Sequence, residues 1–398
     1  MVTKIMYLVD YYEGPEGGTE GQLLQLIQHL DRSRYEPAVT VLRSSSYIER
    51  NQLPCPVTVL GVTKLASMRS ILKVLGYALR LRRENYELVH CFFNDASLIA
   101  PPLLRIFGIR VVVSRRDLGF WYTLWNLAVL RLVAPFVERY VANGQAVKRM
   151  VQQREWVPSG KITVISNGYI PRAENSAEAV SAKRLSGVPD RVSVVGIVAN
   201  LRPIKRIDTL IEAFALINRE YPDARLVIVG GDGPSQGGKS IREELEGLAR
   251  LLRIRERVIF TGRVEDPGPY IRRFNVAVLC SESEGFSNSV MEYMQAGRPI
   301  VCTDTGGNPE LVHDNCNGLL VPVGDVRALA DRLIRLLSDS ELARRLGEAA
   351  RETVRSSYTH TRMVTEQMAC YDEVLSVGLS GCRFSRVSER VRPPVRDS

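Results

Sequence analysis

Two carboxylates with seven residues between them stand in Glu284-Gly-Phe-Ser-Asn-Ser-Val-Met-Glu292. An apolar run over 276–280 reads as a strand, so Glu284 falls on the loop leaving it and Glu292 on the helix behind. Ser287, Asn288 and Ser289 are all good N-caps for that helix. A helix starting there turns free backbone N–H groups and its positive dipole end toward whatever binds in front of it. One carboxylate beside an anion-ready helix end suits a phosphorylated ligand, and a second suits hydroxyls on the same ligand; together they describe a site for an activated sugar. Ser289-Val-Met-Glu292 and Ser281-Glu-Ser-Glu284 also fit capping boxes, which would explain Glu292 without a ligand. Capping explains Glu284 poorly, because Gly285 would then lie just inside a helix, where glycine costs about 1 kcal/mol against alanine. Gly285 reads better as a turn that lets backbone approach a ligand.

A second constellation is Asn200-Leu-Arg202-Pro-Ile-Lys205, between a strand at 192–198 and a helix at 208–219. Cations at a helix start oppose its dipole. Arg202 and Lys205 are better placed to neutralise a pyrophosphate beyond the carboxyl ends of parallel strands. Two glycine-rich loops follow strands: Gly14-Pro-Glu-Gly17-Gly18-Thr-Glu20 and Gly230-Gly231-Asp-Gly233-Pro234. Neither completes the dinucleotide fingerprint or a P-loop, and strand-to-helix turns carry glycine for structural reasons too. Metal chemistry finds little support, since the four histidines are dispersed and no Asp-x-Asp pair occurs. His90, ending a strand and followed by Asn94 and Asp95, either faces the cleft or is simply packed.

These residues need elements to hold them. Short apolar runs alternate with helical patterns, which predicts parallel sheets of βαβ units. Strands are expected at 5–9, 38–42, 57–60, 88–91, 110–113, 139–141 and 162–165, then at 192–198, 225–229, 258–260, 276–279, 299–302 and 318–321. Helices are expected between them, at 20–30, 208–219 and 325–337 among others. The chain therefore reads as two doubly wound α/β domains in tandem. The boundary is expected at Asn167-Gly168, where Asn-Gly favours positive φ, followed by a polar stretch over 172–190. Residues 358–375 read as a closing helix and 378–398 as a flexible basic tail.

Composition is that of an ordinary globular protein, with 45% hydrophobic and 24% charged residues over 398 positions. Seven scattered cysteines without a CxxC pair point to a reducing compartment, with neither a disulfide framework nor a zinc site. The charge is uneven: residues 1–168 carry 21 Lys and Arg against 13 Asp and Glu, a net of +8 of the chain's +9. Lys64 to Arg83 holds six basic residues and no acidic one, with Leu65, Met68, Ile71, Leu72, Leu75 and Leu79 among them. That is either a basic amphipathic helix for an anionic membrane surface or a surface helix with a core-facing stripe. No aromatic stacking platform accompanies it, which argues against nucleic acid. The run 118–137 is interrupted by Asn126, Arg131 and Pro135, and so suits a buried or membrane-grazing helix rather than a span.

Arg202, Lys205, the Gly230–Pro234 loop and Glu284…Glu292 stand in an order and spacing that resembles the retaining glycosyltransferases of family 4, the group 1 glycosyl transferases. The resemblance covers most of residues 1–375 and is most specific over 196–310. It implies the GT-B fold, two Rossmann-like domains facing a cleft: an acceptor domain at 1–168, joined by the last helix at about 358–377, and a nucleotide-sugar domain at 169–357. It implies a donor site of Gly17, Gly18, Arg202, Lys205, Gly231, Val264, Phe286, Ser287, Asn288, Ser289 and Glu292. Glu292 would hold the ribose, and Glu284 would face the transferring sugar. The family often carries a histidine after the strand at 110–113; here the segment reads Ser114-Arg115-Arg116-Asp117. Arg115 and Arg116 are therefore candidates for an anionic acceptor, and His90 and Asp117 for catalysis beside Glu284. The donor phosphate itself is a further candidate to accept the proton.

The resemblance further implies no metal and no cofactor, the nucleotide-sugar (UDP- or GDP-linked) being a substrate. The acceptor is expected to be a glycan, lipid-linked, in exopolysaccharide or other cell-surface synthesis. The basic first half and Phe120-Trp121-Tyr122 motivate the lipid; with the cysteines pointing to a reducing compartment, the protein is expected in the cytoplasm, peripheral on the inner face of the plasma membrane. The alternatives are a nucleotide-sugar 2-epimerase of the same fold and a non-catalytic nucleotide-sugar-binding protein.

Overall fold

The computed structural model describes residues 2–15, 18–65, 67–169, 192–232 and 240–376. The expected polar stretch at 172–190, the basic tail at 378–398, and Gly17, Gly233 and Pro234 lie outside these residues.

Among the described residues are thirteen strands in two parallel sheets, one strand for each apolar run the sequence shows. The first sheet holds β1 (Thr3–Val9), β2 (Tyr35–Val41), β3 (Val57–Val59), β4 (Tyr86–Cys91), β5 (Arg110–Arg115), β6 (Arg139–Ala142) and β7 (Ile162–Val164), in the order β3-β2-β1-β4-β5-β6-β7. The second holds β8 (Val194–Val198), β9 (Arg225–Val229), β10 (Val258–Gly262), β11 (Val276–Leu279), β12 (Ile300–Thr303) and β13 (Leu319–Val321), in the order β10-β9-β8-β11-β12-β13. Apart from the edge strands β3, β7 and β10, the strands are largely buried on both faces, which is why they read as continuous Val/Ile/Leu runs rather than as alternating ones. The order reverses between β1 and β4, and again between β8 and β11. Each reversal splays the following loops apart and opens a crevice beyond the strand ends.

Helices cover both faces of each sheet. In the first half these are α1 (Gly18–His29), α2 (Ser46–Arg50), α3 (Met68–Arg83), α4 (Asn94–Arg105), α5 (Leu124–Val133) and α6 (Gln145–Met150). On one face Val74, Tyr77 and Ala78 of α3, Ala96 and Ala100 of α4, and Val133 of α5 share a core with β4 to β6. The other face is closed by α1 and, from the far end of the chain, by the helix His360–Ser376. Met363, Val364, Tyr371 and Val374 of that helix are buried against Ile5, Tyr7 and Leu23. This last helix is thus part of the first domain's core.

The turn at Asn167-Gly168 differs from expectation. Neither residue has positive φ. Gly168 is small because His360 crosses it: a Cβ there would lie 2.5 Å from the His360 Cα. Its N–H donates to Gln22 Oε1 at 3.0 Å, fastening the crossover to α1.

Candidate active site

The second sheet's crevice brings the two sequence constellations together. Arg202, Pro203 and Lys205 lie on the exit from β8, and Glu284 lies on the exit from β11, the two strands at the reversal. Lys205 Nζ donates to Glu284 Oε1 at 2.6 Å, with the carboxylate 11% exposed. The two exits are also joined through backbone, Glu282 N–H to Ile204 O at 2.9 Å. Arg202 is exposed and close to Tyr11 and Glu20 of the first half: burial raises both of their pKa values, and the Arg202 charge opposes each shift. Gly230 serves packing, since a Cβ there would lie 2.0 Å from Ala199 O; Gly231 is not crowded in this way, and its carbonyl accepts from Leu201 N–H at 2.9 Å. Val264, just beyond β10, is partly buried on the core beneath the helix Asn288–Gln295.

That helix starts at Asn288, with Ser287 as its N-cap: Ser287 Oγ accepts from Val290 N–H at 3.3 Å. The two capping boxes expected at Ser289…Glu292 and Ser281…Glu284 therefore do not form. Ser289 already lies inside the helix, and Ser281 sits in the loop after β11. The N–H groups of Asn288 and Ser289, in the first turn, have no acceptor within the helix. Phe286, expected in the loop around sugar and phosphate, is left its backbone for that contact. Its ring is buried in the core and meets Tyr358 at 5.4 Å, so its side chain anchors the loop from behind. Glu292 is half-buried on the helix.

The first half contributes Arg116 and Asp117, on the loop leaving β5. Arg116 donates to Asn167 Oδ1, Asn167 Nδ2 donates to Asn288 Oδ1 at 2.6 Å, and Asn288 Nδ2 donates to Gly18 O at 2.9 Å. One chain of hydrogen bonds thus crosses the cleft from the β5 exit to the donor loop and on to the start of α1. Burial brings the Arg116 guanidinium down to about 10, with Glu20 opposing the shift, so it stays charged at neutral pH. Asp117 is raised by burial. Its Oδ1 accepts the Gly119 N–H at 2.6 Å, which fixes the turn carrying Phe120 to Tyr122.

Two assigned roles fail on geometry. His90 is wholly buried within the first sheet: Nδ1 pairs with Tyr371 Oη at 2.7 Å and Nε2 with Ser114 Oγ at 2.9 Å. Burial, assisted by Arg116, pushes its pKa down to about 3. It is a neutral structural pin between β4, β5 and the last helix, and it reaches no acceptor. Arg115 is likewise no acceptor ligand. It forms a bidentate ion pair with Glu155, 2.7 and 2.9 Å, at 5% and 0% side-chain exposure. Tyr122 and Ser97 complete that network.

The sequence reading missed three parts of the cleft. Gly306 and Gly307 lie against the loop of Glu284: Cβ atoms there would come within 1.9 Å of Glu284 O and 2.1 Å of Gly285 O. Glu310, on the short helix that follows, accepts the N–H groups of Gln145 and Ala146, both at 2.7 Å, and so caps α6 from the other half. Glu20, 8% exposed at the start of α1, faces Arg116 and Arg202 and is raised by burial. Gly306-Gly307-Asn-Pro-Glu310 was visible as a glycine pair and a proline opening a helix after a strand; what it touches was not.

Comparison with known proteins gives a consistent result. Residues 16–172 match the model described as Glycosyltransferase Family 4, and residues 182–353 match Glycosyl transferases group 1. The chain is similar to N-acetyl-alpha-D-glucosaminyl L-malate synthase of Bacillus anthracis, 31% identical over 55% of each chain. It is similar to alpha-D-kanosaminyltransferase of Streptomyces kanamyceticus, 29% identical over 77% of this chain and 82% of that one. Thus the match spans about half of the first relative and most of the second. In fold it resembles a Rickettsia africae glycosyltransferase (TM-score 0.81, 17% identity, 94% of this chain and 99% of that one). It equally resembles Anabaena HepE in complex with UDP and glucose (TM-score 0.80, 21% identity, 93% and 99%).

Proposed function

This chain belongs to glycosyltransferase family 4, the group 1 glycosyl transferases, and from that membership we propose that it moves a sugar from a nucleotide diphosphate donor to a glycan acceptor with retention of anomeric configuration. The observation that carries the reading is the Lys205–Glu284 ion pair at the reversal of the second sheet. It sets an ammonium donor and a carboxylate side by side where a parallel sheet receives its ligand.

In this reading Arg202 and Lys205 neutralise the donor pyrophosphate, with help from the N–H groups of Asn288 and Ser289. Fixed positive groups aimed at the departing diphosphate stabilise the charge that develops as the glycosidic bond breaks. They do so without a divalent ion being required. Glu292 holds the ribose hydroxyls. Glu284, once Lys205 turns to the diphosphate, presents its carboxylate to the sugar as positive charge grows at the anomeric carbon. No histidine stands ready as a base, so the acceptor hydroxyl gives its proton to a donor phosphate oxygen on the same face, which accounts for retention. Arg116 faces the same space from the first half and suits an anionic acceptor or the donor phosphates.

UDP is the first nucleotide to try, because HepE is seen with it. The acceptor is a lipid-linked glycan in exopolysaccharide or other cell-surface synthesis, met by a protein peripheral to the membrane.

The test is a calorimetric panel of UDP- and GDP-sugars, followed by Glu284→Ala with the best ligand. The reading expects turnover to fall by about a thousandfold while nucleotide affinity stays within about twofold. Donor converted to its epimer without an acceptor would identify an isomerase instead. Binding without turnover in the wild type, with every acceptor supplied, would identify a non-catalytic binding protein.

A further inference from the structure

Of the sixteen large apolar side chains exposed among the described residues, ten fall between Met68 and Trp156. Six of these lie on two helices of one layer: Met68, Leu72 and Leu79 on α3, and Leu124, Trp125 and Leu132 on α5. Helices α3, α4 and α5 bury their inner sides on the same core cluster, so their outer sides form one face of the first domain. In α3 the buried residues Ser70, Val74, Tyr77, Ala78 and Leu81 point inward, as a surface helix requires. At 3.6 residues per turn, Met68, Leu72 and Leu79 fall within a narrow stripe diametrically opposite. That outward stripe should be polar, yet Met68 is 69% and Leu72 60% exposed. Arg69 and Arg83 flank it, and the helix and its approach carry no acidic residue from Lys64 to Arg83.

The same pattern recurs in α5. Leu127, Leu130 and Val133 are buried, while Leu124, Trp125 and Leu132 are 89%, 74% and 73% exposed on the other side. Beside them stands Trp156, exposed and in the left-handed conformation (φ 60°), which is unfavourable for a bulky side chain. The Arg131 guanidinium lies 3.6 Å above its ring and also donates to Arg154 O, fixing the indole outward. Aliphatic side chains framed by tryptophans and arginines are what a lipid–water interface favours.

The turn held by Asp117 carries exposed Phe120 on the stretch that joins the cleft to the start of α5. We infer that the outer face of α3, α4 and α5 is seated on an anionic lipid bilayer. Leu72, Leu124, Trp125 and Leu132 enter the interface, and the arginines of α3 meet lipid phosphates. The inference deepens the proposed use of a lipid-linked acceptor and rests on that reading only for its purpose: it brings the mouth of the cleft to the membrane surface. Of the two readings the sequence leaves open for 64–83, it takes the membrane one: Met68, Leu72 and Leu79 face outward, while Val74, Tyr77 and Ala78 face the core.

The experiment is flotation of the full chain with phosphatidylcholine vesicles, with and without about one-third phosphatidylglycerol, for wild type and Leu72→Asp/Leu132→Asp. The wild type should float with the anionic vesicles and less so in high salt. The double variant should bind at least roughly tenfold more weakly, with its unfolding midpoint and UDP affinity unchanged. Absence of wild-type binding, or a variant within about twofold of it, overturns the inference. So does a wild-type dimer by light scattering that the variant dissolves, since the face would then belong to a second copy. Failure of sugar transfer in both proteins, with vesicle binding as expected, refutes the enzymatic reading alone.

Discussion

Gly285→Ala drives a methyl group into the contact between the two halves of the molecule. Its Cβ would lie 2.3 Å from Arg116 O and 2.8 Å from the carbonyl carbon behind it. Non-bonded heavy atoms settle near 3.5 Å, so relief requires about 1 Å of separation. Local relaxation does not supply it. Arg116 O is held by Asn143 Nδ2 at 3.2 Å, and Gly285 O has Gly307 packed against it from behind. Gly285 lacks positive φ, so alanine adds no backbone strain and each half should fold as before. What yields is the distance between Glu284 with Lys205 on one side and Arg116 with Asp117 on the other. Misplacing catalytic groups by about 1 Å costs on the order of a hundredfold, about 3 kcal/mol in kcat/KM. The assay pairs steady-state transfer with calorimetric UDP binding, whose assigned contacts lie mostly in the second domain. Rate should fall about a hundredfold with affinity nearly constant. A fully active variant would refute the reasoning, as would one that has lost UDP binding in proportion to its activity.

Two further predictions concern the frame behind the site. Glu155→Gln leaves the buried Arg115 guanidinium without its counter-charge and should destabilise the first domain by about 3–5 kcal/mol in urea denaturation. A loss below about 1 kcal/mol would mean water reaches the pair. His90 makes stability fall in acid. Its folded pKa is depressed to about 3, against about 6.5 when unfolded. The stability it contributes is therefore complete above about pH 6.5 and is lost as pH falls toward 3, at about 1.4 kcal/mol per pH unit. Between pH 7 and pH 5 the wild type should lose about 2 kcal/mol more than His90→Gln, as measured by chemical denaturation. Asp10, raised to about 6 by burial, titrates in the same window in both proteins and cancels in the difference. Equal losses would place His90 in contact with solvent.

The strands were legible because parallel sheets covered on both faces demand uninterrupted apolar runs, and each run here became a strand. Arg202, Lys205 and Glu284 were legible as a group because strand ends at a reversal of strand order must converge. Contacts made across long stretches of chain were not. The partner that marks His90 as structural, Tyr371, is 281 positions away, and Glu310 is 165 positions from the Gln145 N–H it accepts. Arg115 and Arg116 are neighbours of the same type, but strand alternation sends one into the core and the other into the cleft. Consecutive Ser287, Asn288 and Ser289 could each cap the helix, and only the fold selects Ser287. Gly285 was read as a turn that lets backbone approach a ligand; the neighbour that requires a glycine there is the other domain's backbone at Arg116.

The central claim is retaining transfer from a nucleotide-sugar, and the anomeric configuration of the product tests it most directly. Donor and acceptor glycan are incubated with the enzyme, and the anomeric proton coupling of the transferred sugar is read by NMR in the first turnovers. An α-linked donor should give an α-linked product, formed by the wild type and lost in Glu284→Ala. A β-linked product, or a donor epimerised without transfer, would contradict the account.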